Sequence, residues 1–385
     1  MLKYVKAFVS YIYEKSFRGS MFRLDRAARE AILSSFPEPA DRIERSFFQY
    51  RCHMQSVSAA LRFAQSLISC PVLVVLLLFG VRNRKTPKER ASAVYISYGI
   101  GKEIIPKSVY GQYPDIVQIN DTPLLLSKTE RTWFASVCRR YWRHPYFLLK
   151  CYTKVGVYAA IRYLYQPKAI IAYSEFSFTS SVLTDYCEHI GLEHINVLHG
   201  EKMLNTRDSF VSYHRFYVWN EGYRDIFIRM RAEERQFVVE LPPMLQLQLP
   251  ENIPQIYDIT YYAGNLTKEQ LGRLLPIFDV LRQEGCRICV RLHPRFGDKE
   301  GLQNILTGFT LEDAAKVPIE ESLAKTNSCC AALSTVLYQA INCGKHLIID
   351  DISDPLKYEI MKDLDCQILK YPHQLLSGSS GDKKI

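Results

Sequence analysis

The chain has 385 residues, 48% hydrophobic and 23% charged, which is enough for two core-bearing domains and excludes both a disordered chain and a membrane-saturated one. Its net charge is +9, from 49 Lys and Arg against 40 Asp and Glu. The basic residues are interspersed with acidic ones, so no nucleic-acid stripe is expected, and the excess suits nucleotides, acidic glycans or an anionic bilayer.

Residues 1–90 read as a helical section. The stretch 1–22 mixes Lys, Arg, Tyr and Phe and suits either a membrane surface or a domain-capping helix. Apolar residues recur near the helical period at 27–33 and 56–64, and Pro37, Pro39 and Pro71 are expected to break those helices. The apolar run 67–81 is shorter than the ~20 residues a spanning helix needs, so a buried helix or strand is expected, with an interfacial segment as the alternative. The 11 cysteines include no pair of CxxC knuckles, which argues against zinc and for a reducing, cytoplasmic compartment.

From residue 91 the pattern becomes an alternation of strands and helices. Strands are expected at 93–98, 115–119, 169–173, 194–198, 215–219 and 237–241, and helices at 130–142, 146–165 and 179–191. Short β-branched and aromatic runs between longer helices predict a parallel sheet covered on both faces. Residues 241–254, with Pro242, Pro243, Pro250 and Pro254, read as a linker. The alternation then restarts, with strands at 259–264, 287–292, 328–333 and 346–350 and helices at 268–284, 320–325 and 336–342. The predicted class is α/β: two doubly wound, Rossmann-like domains, 91–245 and 255–375, with a cleft between them, preceded by the helical section and followed by a disordered tail at 376–385. Ligands are expected at the carboxyl ends of the strands.

Those ends carry the candidate chemistry. His293-Pro294-Arg295 follows the strand 287–292. The imidazole can donate to a phosphate oxygen, Pro294 fixes the turn, and Arg295 can fork onto a phosphate. Ser334-Thr335 stands between a strand and a helix start, where hydroxyls and free backbone N–H groups hold anions; an ordinary helix cap has the same composition. Glu320 precedes a short helix and could accept from ribose hydroxyls. In the first half, His199-Gly200-Glu201 closes the strand 194–198, and His199 can take a proton from an acceptor hydroxyl. Glu201, or Glu175 after the strand 169–173, is the alternative base. Gly99-Ile100-Gly101-Lys102 lacks the spacing of either phosphate-loop fingerprint and reads as a turn. The basic aromatic cluster 139–145 suits a solvated helix face or lipid headgroups. No Asp-x-Asp triplet stands at a strand end, so no metal is expected.

This set resembles the GT-B glycosyltransferases. More narrowly, it is similar to bacterial surface-polysaccharide enzymes that use cytidine nucleotides. His293-Pro294 and Ser334-Thr335 match motifs that hold the CMP part of the donor in bacterial sialyltransferases. His199-Gly200 and His293-Pro294 match the His-Gly and His-Pro motifs of CDP-glycerol-type glycerophosphotransferases. The resemblance covers about Ala91 to Pro372. The sialyltransferase Asp-Asp-Gly or Glu-Asp-Gly triplet and the Asp-Tyr-Ser-Ser run of the glycerol-phosphate enzymes are absent from the sequence, which leaves the base and the donor open. The resemblance implies an inverting, metal-independent transferase without a cofactor. Its donor would be a CMP- or CDP-linked sugar or polyol, and its acceptor a glycan or lipid-linked oligosaccharide of capsule, O-antigen or lipooligosaccharide synthesis. Its place would be the cytoplasm or the cytoplasmic face of the inner membrane. A CDP-glycerol or ribitol phosphotransferase and a non-catalytic assembly partner are the alternatives.

Overall fold

The computed structural model describes residues 24–82, 86–97, 99–121, 123–293 and 305–379. The stretch 1–22, Pro294 and Arg295, and residues 380–385 lie outside them. The chain forms two compact units, residues 1–199 with 204–241, and residues 200–203 with 242–385.

In the first unit six strands form one parallel sheet: β1 (Ala93–Ile96), β2 (Ile116–Ile119), β3 (Ala169–Ala172), β4 (Glu193–Val197), β5 (Arg215–Val218) and β6 (Phe237–Val239), in the order β2-β1-β3-β4-β5-β6. Every residue of β1 and β3 is buried, as strands covered on both faces must be. The order reverses between β1 and β3. The second unit is also parallel: β7 (Tyr257–Ala263), β8 (Ile288–Leu292), β9 (Thr310–Asp313), β10 (Thr326–Ala331), β11 (His346–Ile349) and β12 (Gln374–Leu375), in the order β12-β11-β10-β7-β8-β9. Its order reverses between β7 and β10. Such reversal points open a crevice at the carboxyl ends of the strands, where doubly wound sheets take ligands.

The helical section belongs to the first unit. Asp25, Asp41 and Ser58 cap its helices Arg26–Ser34, Arg42–Gln55 and Ala59–Phe79 through their side-chain oxygens. The helix Arg42–Gln55 packs on Ser180–His189, where the Val182 amide donates to Ser46 Oγ at 2.8 Å. Two expectations fail in the helix Ala59–Phe79. Pro71 does not break it, because a proline inside a helix removes one hydrogen bond and its ends are fixed from outside. Arg131 donates to the Leu77 and Leu78 carbonyls at 2.8 and 2.9 Å, and Val81 pairs with Leu126. Nor is the run buried: only Ser69 and Leu73 of this helix are.

Two other differences are local. The 241–254 segment is not a free linker, since Leu245 is buried and Gln339 and Asn342 donate to the Met244 and Leu245 carbonyls at 2.8 and 2.9 Å. The tail expected from 376 is ordered through 379: Leu376 is buried, and Ser377 Oγ donates to Asp351 at 2.6 Å.

The first unit holds two histidines, one buried and one half-buried, with a measurable consequence. His194 is fully buried between Tyr158 Oη (2.9 Å) and Thr184 Oγ1 (2.8 Å). Burial, with the nearby charges of His214 and Arg42, pushes its pKa down to about 3, and burial does the same to His53. The folded pKa lies below the unfolded value of about 6.5. Stability is therefore complete above pH ~6.5 and falls as the unfolded chain takes up protons the fold refuses. The expected slope between pH 6.5 and 5 is up to ~1.4 kcal/mol per pH unit for each histidine. Urea unfolding at a series of pH values checks this, and His194→Gln should flatten the slope; an unchanged slope contradicts it.

Candidate functional site

In the first unit the chemistry gathers after β3 and β4. The Ser174 amide donates to Asn196 Oδ1 at 2.8 Å, and Asn196 Nδ2 donates to Glu175 Oε2 at 3.1 Å. The buried Asn196 thereby fixes the loop that carries Glu175. From the helical section, the buried Gln49 donates to the Glu175 and Arg207 carbonyls at 2.8 and 2.7 Å. Glu175 is wholly buried, and its Oε1 lies 3.3 Å from Nδ1 of His199, whose side chain is 23% exposed. The rings of Tyr173 and Phe176 flank the imidazole at 4.8 and 6.3 Å, and Trp219 Nε1 fixes the preceding residue by donating to the Leu198 carbonyl at 3.1 Å. The two atoms stand at ion-pair distance without hydrogen-bond geometry, so the carboxylate sets a negative charge beside the ring that would offset an imidazolium. Glu175, without solvent access, suits that electrostatic role rather than direct proton transfer.

The Gly99-Ile100-Gly101-Lys102 turn does other work. The Ile100 carbonyl accepts from Ser97 Oγ at 2.6 Å, and the Lys102 ammonium donates to the Ile116 carbonyl at 2.6 Å. Its lysine supports the sheet.

In the second unit a cavity of about 730 Å³ opens at the β7/β10 reversal. Ala263, Gly264 and Asn265 line it from the end of β7, and Leu292 and His293 from the end of β8; Leu333 to Val336 follow β10. Ser334 caps the helix Thr335–Asn342, its Oγ accepting from the Val336 amide at 3.3 Å. The Leu337 amide donates to the Ser334 carbonyl at 3.1 Å, so of the first-turn amides only that of Thr335 is left for a ligand, beside the two hydroxyls. His293, Ser334 and Thr335 thus come to one cavity, as an anion site requires.

Three further lining groups had no sequence signal of their own. Arg291 is buried with Glu312 of β9 as an ion pair and also donates to the Val317 carbonyl at 2.8 Å. Asn265 and Lys357 reach the cavity from the loop after β7 and the helix Pro355–Asp363. Breaking the Arg291–Glu312 pair is costly because it leaves a buried charge without its partner. Glu312→Gln is expected to destabilise the second unit by about 3–5 kcal/mol, and Arg291→Met with Glu312→Leu to restore most of it. Chemical denaturation checks both; a Glu312→Gln protein as stable as the wild type contradicts them.

Glu201 belongs to the second unit. It lines the cavity while accepting from Tyr338 Oη and, at 3.0 Å, from the Gln367 amide. Glu320 sits in the first turn of the helix Ile319–Lys325; its neighbour Ile319 lines the cavity and Glu320 does not.

No protein-family model matches the chain, and no curated protein is significantly similar to it. Solved structures do match. The UDP-GlcNAc 2-epimerase of Methanocaldococcus jannaschii, solved with UDP-GlcNAc and UDP, has a TM-score of 0.44 at 12% identity, over 71% of this chain and 87% of that one. The wall teichoic acid polymerase TagF, as a variant soaked with CDPG, has a TM-score of 0.42 at 11% identity, over 83% and 86%. The lipopolysaccharide outer core galactosyltransferase WaaB, in its apo form, has a TM-score of 0.40 at 12% identity, over 69% and 81%.

Proposed function

We propose that this chain is an inverting, metal-independent glycosyltransferase of the GT-B type that takes its sugar from a nucleotide donor, with a cytidine nucleotide as the leading candidate. The observation that carries this reading is the convergence of His293, Ser334 and Thr335 on one cavity at the strand-order reversal of a doubly wound sheet. Phosphate would sit on the Ser334 and Thr335 hydroxyls and the Thr335 amide, with His293 donating to an oxygen of the leaving group. Asn265 and Lys357 would take further polar groups of the donor.

The acceptor is a glycan hydroxyl. His199 Nε2 takes its proton, the oxygen attacks the anomeric carbon, and the bond from that carbon to the phosphate oxygen breaks. The electron pair leaves on the nucleotide phosphate, whose growing charge His293 and the helix start stabilise. Glu175 steadies the imidazolium that forms. Direct displacement of this kind inverts the anomeric centre.

The test mixes purified protein with CMP-sialic acid, UDP- and GDP-sugars and CDP-glycerol, and follows nucleotide release. Release from a sugar nucleotide is the expected result. Release from CDP-glycerol alone, with glycerol phosphate found on the acceptor by mass, would make the chain a phosphotransferase attacking phosphorus. Silence across all donors from folded protein would leave a non-catalytic assembly partner as the reading.

A further inference from the structure

The helix Ala59–Phe79 presents an apolar face that no described residue covers. Eight of the exposed large hydrophobic residues lie on this one helix, from Phe63 (71% exposed) and Leu67 through Val72 and Val75 to Leu78 and Phe79 (79% exposed). Scattered exposed apolar residues are ordinary, but a contiguous face of this size marks an interaction surface. Its other side is fastened: Leu73 is buried in the core beside the helix Pro145–Tyr165, and Leu61, Leu76 and Leu77 pack against the same core.

Charge identifies the occupant. No Asp or Glu occurs between Arg45 and Lys88, while seven Lys and Arg fall within that span, ends included. Arg62 and Arg82 stand exposed near the two ends of the apolar face. An apolar face with basic ends is the composition of a surface that sinks to the headgroup level of an anionic leaflet. A second copy of the chain would set like-charged ends against each other.

We propose that this face docks the protein onto an anionic phospholipid bilayer, with the helix lying in the interface and not crossing it. The helix is long and apolar enough to span by composition alone. Crossing would strip away the Arg131 bonds, the Val81–Leu126 bridge and the burial of Leu73. Docked in the plane, it keeps all three. The proposal stands apart from the donor reading, since it needs no residue of the cavity.

The test sediments full-length protein with vesicles of phosphatidylethanolamine and phosphatidylglycerol, and with vesicles of phosphatidylcholine alone. Wild type should pellet with the anionic vesicles and far less with the neutral ones. The triple variant Leu67→Gln, Val75→Gln, Leu78→Gln should lose roughly tenfold or more in vesicle affinity, and Arg62→Glu with Arg82→Glu should weaken binding to anionic vesicles only. Because all these side chains are exposed, thermal melting should be unchanged. The proposal is overturned if wild type stays in the supernatant, if the triple variant pellets like wild type, or if wild type is a dimer that the triple variant makes monomeric. Wild type that remains in native membranes after a high-pH carbonate wash would overturn it too.

Discussion

Replacing His293 with alanine is expected to lower turnover by about 10²–10³-fold, the usual effect of removing one donor to a developing oxyanion. The loss should appear mainly in kcat, because the charge His293 meets grows as the bond to the leaving group breaks. In the proposed reading Thr335→Val and Ser334→Ala remove hydroxyls that would hold the phosphate already in the ground state, so their losses should fall more on donor affinity. Ser334→Ala also removes the cap of the helix Thr335–Asn342, at about 1 kcal/mol of stability, whereas Thr335→Val leaves that cap in place. Donor affinity by calorimetry and turnover by nucleotide release separate these outcomes. An unchanged kcat in His293→Ala contradicts the leaving-group role.

His199→Ala should abolish proton removal from the acceptor, at about 10²–10⁴-fold in turnover, while nucleotide binding persists. That split is the expected result, since His199 and the cavity lined by His293 and Thr335 belong to different units. Glu175→Gln acts through His199 and should cost less. It replaces the carboxylate 3.3 Å from Nδ1 with an amide that cannot offset imidazolium charge. Turnover of folded Glu175→Gln should therefore fall while its nucleotide affinity stays at the wild-type value. A merely structural Glu175 would lower the melting temperature and leave turnover of the folded protein unchanged.

Much of the alternation was legible because parallel strands buried on both faces must be short apolar runs. Ala169–Ala172 and Ile288–Leu292 could not hide in the sequence. The strand Thr310–Asp313 did hide. It carries Glu312, whose burial depends on Arg291 from the next strand, and composition does not reveal a pairing made across a sheet. The helix Ala59–Phe79 was misread because Pro71 suggested an end, while what holds the helix through that residue comes from Arg131 and Leu126, far along the chain.

The site followed the same division. His199, His293, Ser334 and Thr335 announced themselves by closing apolar strands or opening a helix. Asn265, Lys357 and Gln49 did not, because an amide or an amine in a loop or helix has no periodic signature; only the fold gives it a neighbour. Glu201 also had no sequence signal for the partners it takes, since Tyr338 and Gln367 lie more than a hundred residues further along the chain.

The most direct test is a crystal structure of the protein with cytidine diphosphate. The account predicts phosphate density within hydrogen-bond distance of His293 and of the hydroxyl and amide of Thr335, at the start of the helix Thr335–Asn342. Nucleotide bound anywhere else on the chain, or a cavity at the β7/β10 reversal that stays empty at saturating nucleotide, would contradict it.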